Sequence, residues 1–169
     1  MPNPLNFYAE ISSENQFIAE FSNGISLHLK REDLLHPEVS GNKFRKLKYN
    51  ILEAQKQEKR TLLTFGGAYS NHIAATAAAG KLSGLKTIGI IRGEELGQNL
   101  EKTLAQNKTL NFAHSCGMHF RFVSRKDYRQ KETLEFQEKL TEEFGEFYLV
   151  PEGGTNQLAI KGCEEILNE

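Results

Sequence analysis

Apolar positions along the chain follow two periods, and the change from one to the other organises the molecule. Around Ser22-Asn23-Gly24, the stretches QFIAEF and ISLHLKRED alternate, with Ile25, Leu27 and Leu29 set against Ser26, His28 and Lys30. Asn-Gly between alternating runs predicts a β-hairpin closed by a type I′ turn, with one buried face. From about Asn42 to Lys59 the period becomes helical: Phe44, Leu47, Ile51 and Leu52 share a face, and Ser40 or Asn42 can serve as the cap.

A repeat of strand, turn and helix follows. TLLTF (61–65) reads as a short buried strand that leaves through Gly66-Gly67, and an alanine-rich helix is expected from Asn71 to Ser83. KTIGII (86–91) is the next strand, followed by a polar loop and a helix from about Leu100. MHFRFVS (118–124) alternates as a strand, with Phe120 and Phe122, like Phe112, expected in the core. Ser124-Arg125-Lys126-Asp127 offers a capping box for a helix reaching Phe144. FYLV (147–150) is the fourth strand, stopped by Pro151. Thr155 is expected to cap a last helix whose Ala159, Cys163, Ile166 and Leu167 share a face.

Strands alternating with helices predict an α/β fold: a three-layer αβα unit around a parallel sheet. The hairpin stands outside that repeat and is assigned to a different domain. The last amphipathic pattern runs to Leu167 with no cap after it, which reads as part of a longer protein.

Composition narrows the class. The 169 residues are 38% hydrophobic and 25% charged with a net charge of −1, the profile of a globular domain without a global field for nucleic acid or acidic membrane. Cys116 and Cys163 form no C-x-x-C pair, so neither a zinc site nor a disulfide framework is expected, in keeping with a reducing compartment. The opening residues show no basic stretch followed by an apolar run, and no run of 18 apolar residues occurs; a cytoplasmic location and no membrane partner are expected. His28, His36, His114 and His119 have no metal-ligand spacing.

The candidate chemistry lies in two places. VSGNKFRKLKYN (39–50) crowds Lys43, Arg45, Lys46 and Lys48 into the first turns of a helix, the end where the macrodipole disfavours cations. Lys43 and Lys46, three apart, share a face. The dipole and neighbouring cations favour a neutral Lys43 amine, able to condense with an aldehyde, while Lys46 could hold a phosphate; the pair suits pyridoxal 5′-phosphate. The competing reading is a solvated basic helix start, with Arg45 and Lys48 simply exposed. In FGGAYSNHIAATAAAG (65–80), Ser70, Asn71 and His72 stand where a strand gives way to a helix N-terminus, a place suited to a substrate carboxylate. The competing reading makes Ser70 an N-cap and His72 a partly exposed polar residue. Gly153-Gly154-Thr155 reads as a helix entry whose amides could line a site.

Taken together, KREDLLHPEVSGNKFRKLKYN, TFGGAYSNHIAATAA and PEGGTNQLAIKGCEEI resemble the 1-aminocyclopropane-1-carboxylate deaminase and D-cysteine desulfhydrase family, fold-type II pyridoxal-phosphate enzymes related to the tryptophan synthase β subunit. The resemblance implies that Lys43 carries the cofactor and moves the Cα proton, and that Lys46 meets its phosphate. It implies that Asn71 meets the ring hydroxyl and Asn42 positions the lysine loop. Ser70, Asn71 and His72 would receive the substrate carboxylate, with Ser70 also assisting proton transfer. Tyr69 stands where relatives often have glutamine. Residues 48–153 would form the small domain, with 1–47 and 154–169 belonging to a large domain that is only partly present. The implied reaction turns 1-aminocyclopropane-1-carboxylate or D-cysteine into a 2-oxo acid and ammonia, with sulfide from D-cysteine. The complete protein would be a homodimer, and these 169 residues alone would bind cofactor weakly and turn over little. A dehydratase or sulfhydrylase relative, or a non-catalytic fragment binding an anion or amino acid, is the alternative.

Overall fold

The computed structural model describes residues 12–169; expectations that fall on residues 1–11, namely the lack of a signal pattern and the start of the first domain, lie outside the described residues. A hairpin comes first, β1 (Asn15–Glu20) and β2 (Ser26–Lys30), antiparallel with a bulge between Phe17 and Ala19. Then follow α1 (Asn42–Lys56), β3 (Thr61–Gly67), α2 (Asn71–Leu82) and β4 (Lys86–Arg92). The chain continues through α3 (Leu100–Gln106), α4 (Lys108–Ser115), β5 (His119–Val123), α5 (Arg125–Tyr128), α6 (Leu134–Phe144), β6 (Tyr148–Val150) and α7 (Gln157–Glu164).

β3 to β6 form one parallel sheet in the order β5-β4-β3-β6, as the α/β repeat predicts. Alternation along the strands feeds two cores. Leu62 and Ile91 face α1, α2 and α4, while Leu63, Phe65, Ile88 and Ile90 face Tyr128 of α5 and Leu140 of α6. Helices therefore cover both faces of the sheet. The order reverses at β3: β4 and β5 extend the sheet one way and β6 pairs on the other side. The carboxyl ends of β3 and β6 thus make a topological switch point, where open α/β sheets bind ligands.

Several local expectations change. The hairpin turn is not type I′: Gly24 has φ 80°, but Asn23 is not among the non-glycine residues with positive φ, and Gly24 N–H donates to Phe21 O at 2.9 Å. This is the type I turn followed by a left-handed glycine, which leaves Asn23 unstrained. Nor is a hairpin face buried among the described residues; Phe17, Ile18, Phe21, Ile25, Leu27 and Leu29 are 46–59% exposed. α1 has Gly41 at its N-cap, with φ 62° and no side-chain cap, so neither Ser40 nor Asn42 caps it. Gly66 and Gly67 belong to β3 instead of a turn. The helix expected from Leu100 breaks at Asn107, whose Oδ1 accepts from Leu110 N–H and caps α4. Ser124 does cap, but only the single turn of α5; Thr133 starts α6 anew. Asn156, not Thr155, caps α7.

Arg45 is the largest departure. Expected at the surface, it is 0% exposed. Its guanidinium donates to Glu32 from Nε at 2.9 Å and from Nη2 at 3.0 Å, and meets Glu169 at 2.7 Å and Glu165 at 3.4 Å. Burial opposes its charge, but Glu32 and Glu169 outweigh burial and raise its pKa. Lys48 also leaves the surface role, pairing with Glu165 at 2.7 Å. This cluster ties α1 to the turn before it and to the turn after α7. The helices cross closely at Gly162, where a Cβ would collide with the Arg45 carbonyl oxygen. α1 runs unbroken through residues 47 and 48. Among the described residues no helix is long and apolar enough to cross a membrane.

Candidate active site

The carboxyl ends of β3 and β6 open into a cavity of about 670 Å3, lined by the start of α1 (Ser40–Lys43), the start of α2 (Ser70–His72, Ala74, Ala75), Glu38, Glu152 and Gly153. Five of the six residues singled out from the sequence, Asn42, Lys43, Ser70, Asn71 and His72, share this one space. Its volume falls within the range of small-ligand sites.

The cavity is built to receive negative charge. Neither α1 nor α2 has an acidic residue in its first turn or a side-chain hydrogen bond at its N-cap. Neither N-cap side chain occupies the first-turn amides, and both helix dipoles present their positive ends. Ser70 occupies the N-cap of α2 as expected, yet its hydroxyl makes no cap bond and stays available.

Lys43 Nζ donates to Asn42 Oδ1 at 3.2 Å. Partial burial, then the nearby Lys46 ammonium, lowers the Lys43 pKa, with Cys163 acting the other way. A larger share of the amine is therefore neutral at a given pH than for a surface lysine. Lys46 follows one turn later but points elsewhere. Its Nζ donates to Thr155 Oγ1 at 3.1 Å and reaches Gly153 O at 3.5 Å, and it lines a second, apolar groove of about 370 Å3 beside Ile160, Cys163 and Leu167 of the α7 region. The two amines flank the Gly153–Thr155 segment and do not meet in one pocket.

His72 is not partly exposed; it is 2% exposed. Its Nε2 lies 2.8 Å from Thr64 Oγ1, whose own hydroxyl donates to Val150 O at 2.9 Å. With that proton committed, Nε2 must be the donor and Nδ1 carries the lone pair. Nδ1 has no hydrogen-bond partner and faces Gly154, whose close approach leaves little room for a side chain. Burial first, then Lys43 and Lys46, lower the His72 pKa to about 3. The ring is neutral and ties the α2 N-terminus to β3 and β6, so an anion at this end would meet the backbone N–H of His72, not its ring.

Tyr69 is 78% exposed and does not line the cavity. Sequence reading missed Thr64, a polar residue inside a buried strand, and missed Glu38 and Glu152 on the cavity wall. Pro-Glu-Gly-Gly directly after a strand was the available signal for Glu152. Among the described residues, no group of three His, Cys, Asp or Glu could hold a metal ion.

No protein-family model matches the chain. It is 35% identical over 163 residues to a Thermotoga maritima protein provisionally named a 1-aminocyclopropane-1-carboxylate deaminase, covering 95% of this chain and 47% of that protein. It is 34% identical over 151 residues to the mitochondrial bifunctional D-cysteine desulfhydrase/1-aminocyclopropane-1-carboxylate deaminase of Arabidopsis thaliana, covering 87% and 37%. The crystal structure of a homologue of 1-aminocyclopropane-1-carboxylate deaminase superposes with a TM-score of 0.70 at 26% identity, covering 94% of this chain and 47% of that one. The chain spans less than half the length of these relatives.

Proposed function

We propose that this chain, a homologue of the 1-aminocyclopropane-1-carboxylate deaminases and D-cysteine desulfhydrases, is the lysine-bearing portion of a pyridoxal 5′-phosphate enzyme. The complete protein would convert one of those amino acids to a 2-oxo acid and ammonia, with sulfide in addition from D-cysteine. The observation that carries this reading is Lys43: an amine of lowered pKa in a cavity with two uncapped helix N-termini.

The residues fit the cofactor. An amine able to attack an aldehyde, an amide side chain beside it and a wall of N–H donors are the groups such a molecule needs. Bound there, pyridoxal phosphate would supply the electron sink for breaking a bond at the substrate Cα. The chain's own residues would do the rest. Lys43 would hold the cofactor, and its amine would take and return a proton at the substrate Cα. Asn42 orients the Lys43 amine through its Oδ1. The first-turn amides of α2, with the uncommitted Ser70 hydroxyl, take the substrate carboxylate, and Ser70 sits where it can pass a proton. Asn71 serves both cofactor ring and substrate. His72 acts through its backbone N–H and by fixing α2, its ring being buried and neutral. Lys46 is the exception: to meet a phosphate it must exchange the Gly153 carbonyl for the anion, keeping Thr155 as its neighbour.

In this reading residues 48–153 form the small domain, and 1–47 with 154–169 belong to a large domain completed by further chain. The Arg45 clamp and the Gly162 crossing support grouping the two outer segments. The exposed apolar hairpin supports a partner surface there, since an isolated two-stranded hairpin is marginal in water. A cytoplasmic, homodimeric complete protein belongs to the same reading, and sizing the complete protein by light scattering tests the dimer.

The decisive experiment is an absorption spectrum of the protein with added pyridoxal phosphate, for wild type and Lys43→Ala, followed by borohydride reduction and peptide mapping. A band near the visible edge, lost in the variant, with the label on Lys43, is the expected result. A label on other lysines only, in this chain and in an extended one, overturns the reading.

A further inference from the structure

Two carboxylates stand on the wall of the cavity that Lys43 and α2 share, Glu38 and Glu152, and the reaction outlined above uses neither. Glu152 is the better anchored. It follows Pro151 at the end of β6, and its Oε2 lies 3.3 Å from Lys131 Nζ. That ammonium packs over the ring of Tyr128 at 5.2 Å, and the Arg92 guanidinium faces the same ring at 5.6 Å. Tyr128 is itself buried in the core under the sheet, edge-on to Phe65. The Glu152 carboxylate is thus held at the cavity rim by a post rooted in the fold. The side chain itself is 44% exposed.

The charges in the cavity are segregated. The floor is positive, made by Lys43 and the start of α2, whose N-cap side chain makes no cap bond. The wall at Glu152 is negative, and Lys131 behind it, outside the cavity lining, offsets part of that charge. For an amino acid held by its α-carboxylate at the floor, Glu152 is a charge that a side chain extending to the wall would meet. A neutral or cationic side chain meets no penalty there. A second carboxylate meets the Glu152 charge at close range, where like charges repel even through partly solvated surroundings.

We propose that Glu152 is a specificity-determining residue that restricts this site to amino acids with a single carboxylate, and that Lys131 sets how much of its charge a ligand feels. The proposal rests on the reading of the cavity as an amino-acid site with Lys43 as its reactive amine. Substrates with neutral or basic side chains are accepted; aspartate- and glutamate-like side chains are turned away.

The test compares two small aldehydes at Lys43 in the 169-residue chain, glyoxylate, which carries a carboxylate, and glycolaldehyde, which does not. Each is trapped with cyanoborohydride, and peptide mapping gives the modification rate at Lys43 relative to the exposed Lys108. The quantity read is the glyoxylate-to-glycolaldehyde ratio, in which changes of Lys43 basicity or accessibility cancel. Glu152→Gln is expected to raise the ratio about threefold and Lys131→Met to lower it about twofold, as expected for one charge removed at short range through partly screened surroundings. Circular dichroism confirms that each variant is folded. Opposite shifts are the signature, because a purely structural role for the Glu152–Lys131 pair would move the ratio the same way in both variants or leave it unchanged. Either of those results overturns the proposal and leaves the cofactor reading standing, since that reading is judged by the absorption band. Lys43 inert to both reagents would overturn the reading of Lys43 as the reactive amine, and this proposal with it.

Discussion

Replacing Arg45 by methionine should destabilise the chain more than any other change to its run of basic residues. The guanidinium is 1% exposed and faces three carboxylates, at 2.9 Å from Glu32, 2.7 Å from Glu169 and 3.4 Å from Glu165. Methionine fills most of the volume, so the loss is electrostatic and not that of a cavity. Removing one partner of a buried ion pair costs about 3–5 kcal/mol, chiefly because the other partner stays buried and unpaired. Here the carboxylates are 13–26% exposed, and Glu169 and Glu165 keep Lys30 at 3.0 Å and Lys48 at 2.7 Å. The low end applies, about 3 kcal/mol, or a fall in Tm of roughly 6–12 °C for a domain of this size. The effect depends on pH. Partial burial of Glu165 and Glu169 works against ionisation, but their bonds to Lys48 and Tyr49, and to Ser13, Lys30 and Arg45, hold both pKa values below the usual glutamate range. Groups whose folded pKa is depressed stabilise the fold above their unfolded pKa and lose that contribution as pH falls through the folded value. Urea denaturation of both proteins at pH 7 and pH 3 should therefore show the full gap at pH 7 and a much smaller one at pH 3. A gap under about 1 kcal/mol at pH 7, the worth of an exposed pair, would refute the clamp as described, and so would an equal gap at both pH values.

Three further outcomes are expected. NMR of the ring nitrogens should find His72 neutral, protonated at Nε2 and silent between pH 5 and 8; because its folded pKa of about 3 lies below the unfolded value, stability should drop by up to about 1.4 kcal/mol per pH unit as pH falls below about 6.5, and a titration near 6.5 would contradict this. Gly162→Ala forces a methyl group against the Arg45 carbonyl oxygen, so urea unfolding should show a loss of about 3 kcal/mol as α1 and α7 part, whereas a neutral effect would mean that the helices do not cross as closely as described. The rate at which a neutral acylating reagent modifies Lys43 should rise with pH along a curve displaced below that of exposed Lys108, and coincident curves would remove the basis for a reactive amine.

The parallel unit was legible because β3, β4 and β6 are short apolar runs bounded by glycine or polar residues, β5 alternates, and α1, α4 and α6 carry one-sided stripes, while the alanine-rich α2 is buried on most sides. Where the reading failed, a single polar side chain redirected the backbone. Asn107 looked like one more helical residue between Leu104 and Leu110, but its Oδ1 captures the Leu110 N–H and divides the helix. Asn156 did the same to the cap expected at Thr155: it accepts the Ala159 N–H one residue later, while Thr155 turned to Lys46. Such competition between side chain and backbone leaves no periodic trace. The hairpin failed differently. Its alternation is real, but which face is covered depends on what packs there, and no described element does so. His72 was placed correctly at the helix entry and misjudged in exposure, because its partner Thr64 lies on a strand seven positions before Asn71, where its single hydroxyl breaks an otherwise apolar run.

The crowded cations of VSGNKFRKLKYN resolve through helix geometry. Lys43 and Lys46 stand three apart, and so do Arg45 and Lys48, but the second pair is offset from the first by two residues, or about 200° around the axis. One run of basic residues therefore serves two opposite faces of α1. The Arg45–Lys48 face is neutralised within the chain by Glu32, Glu165 and Glu169, which fastens α1 to the segments before and after the sheet. The Lys43–Lys46 face has no carboxylate salt bridge at either amine among the described residues, and it borders the cavity at the switch point of the sheet. Both faces begin at a helix end that already disfavours cations. On one face, carboxylates from the chain's own segments offset that penalty. On the other, partial burial and then the Lys46 ammonium lower the Lys43 pKa. Burial and a neighbouring cation thus raise the neutral share of the Lys43 amine, and the clamp on the opposite face fastens the helix that carries it to the cavity edge.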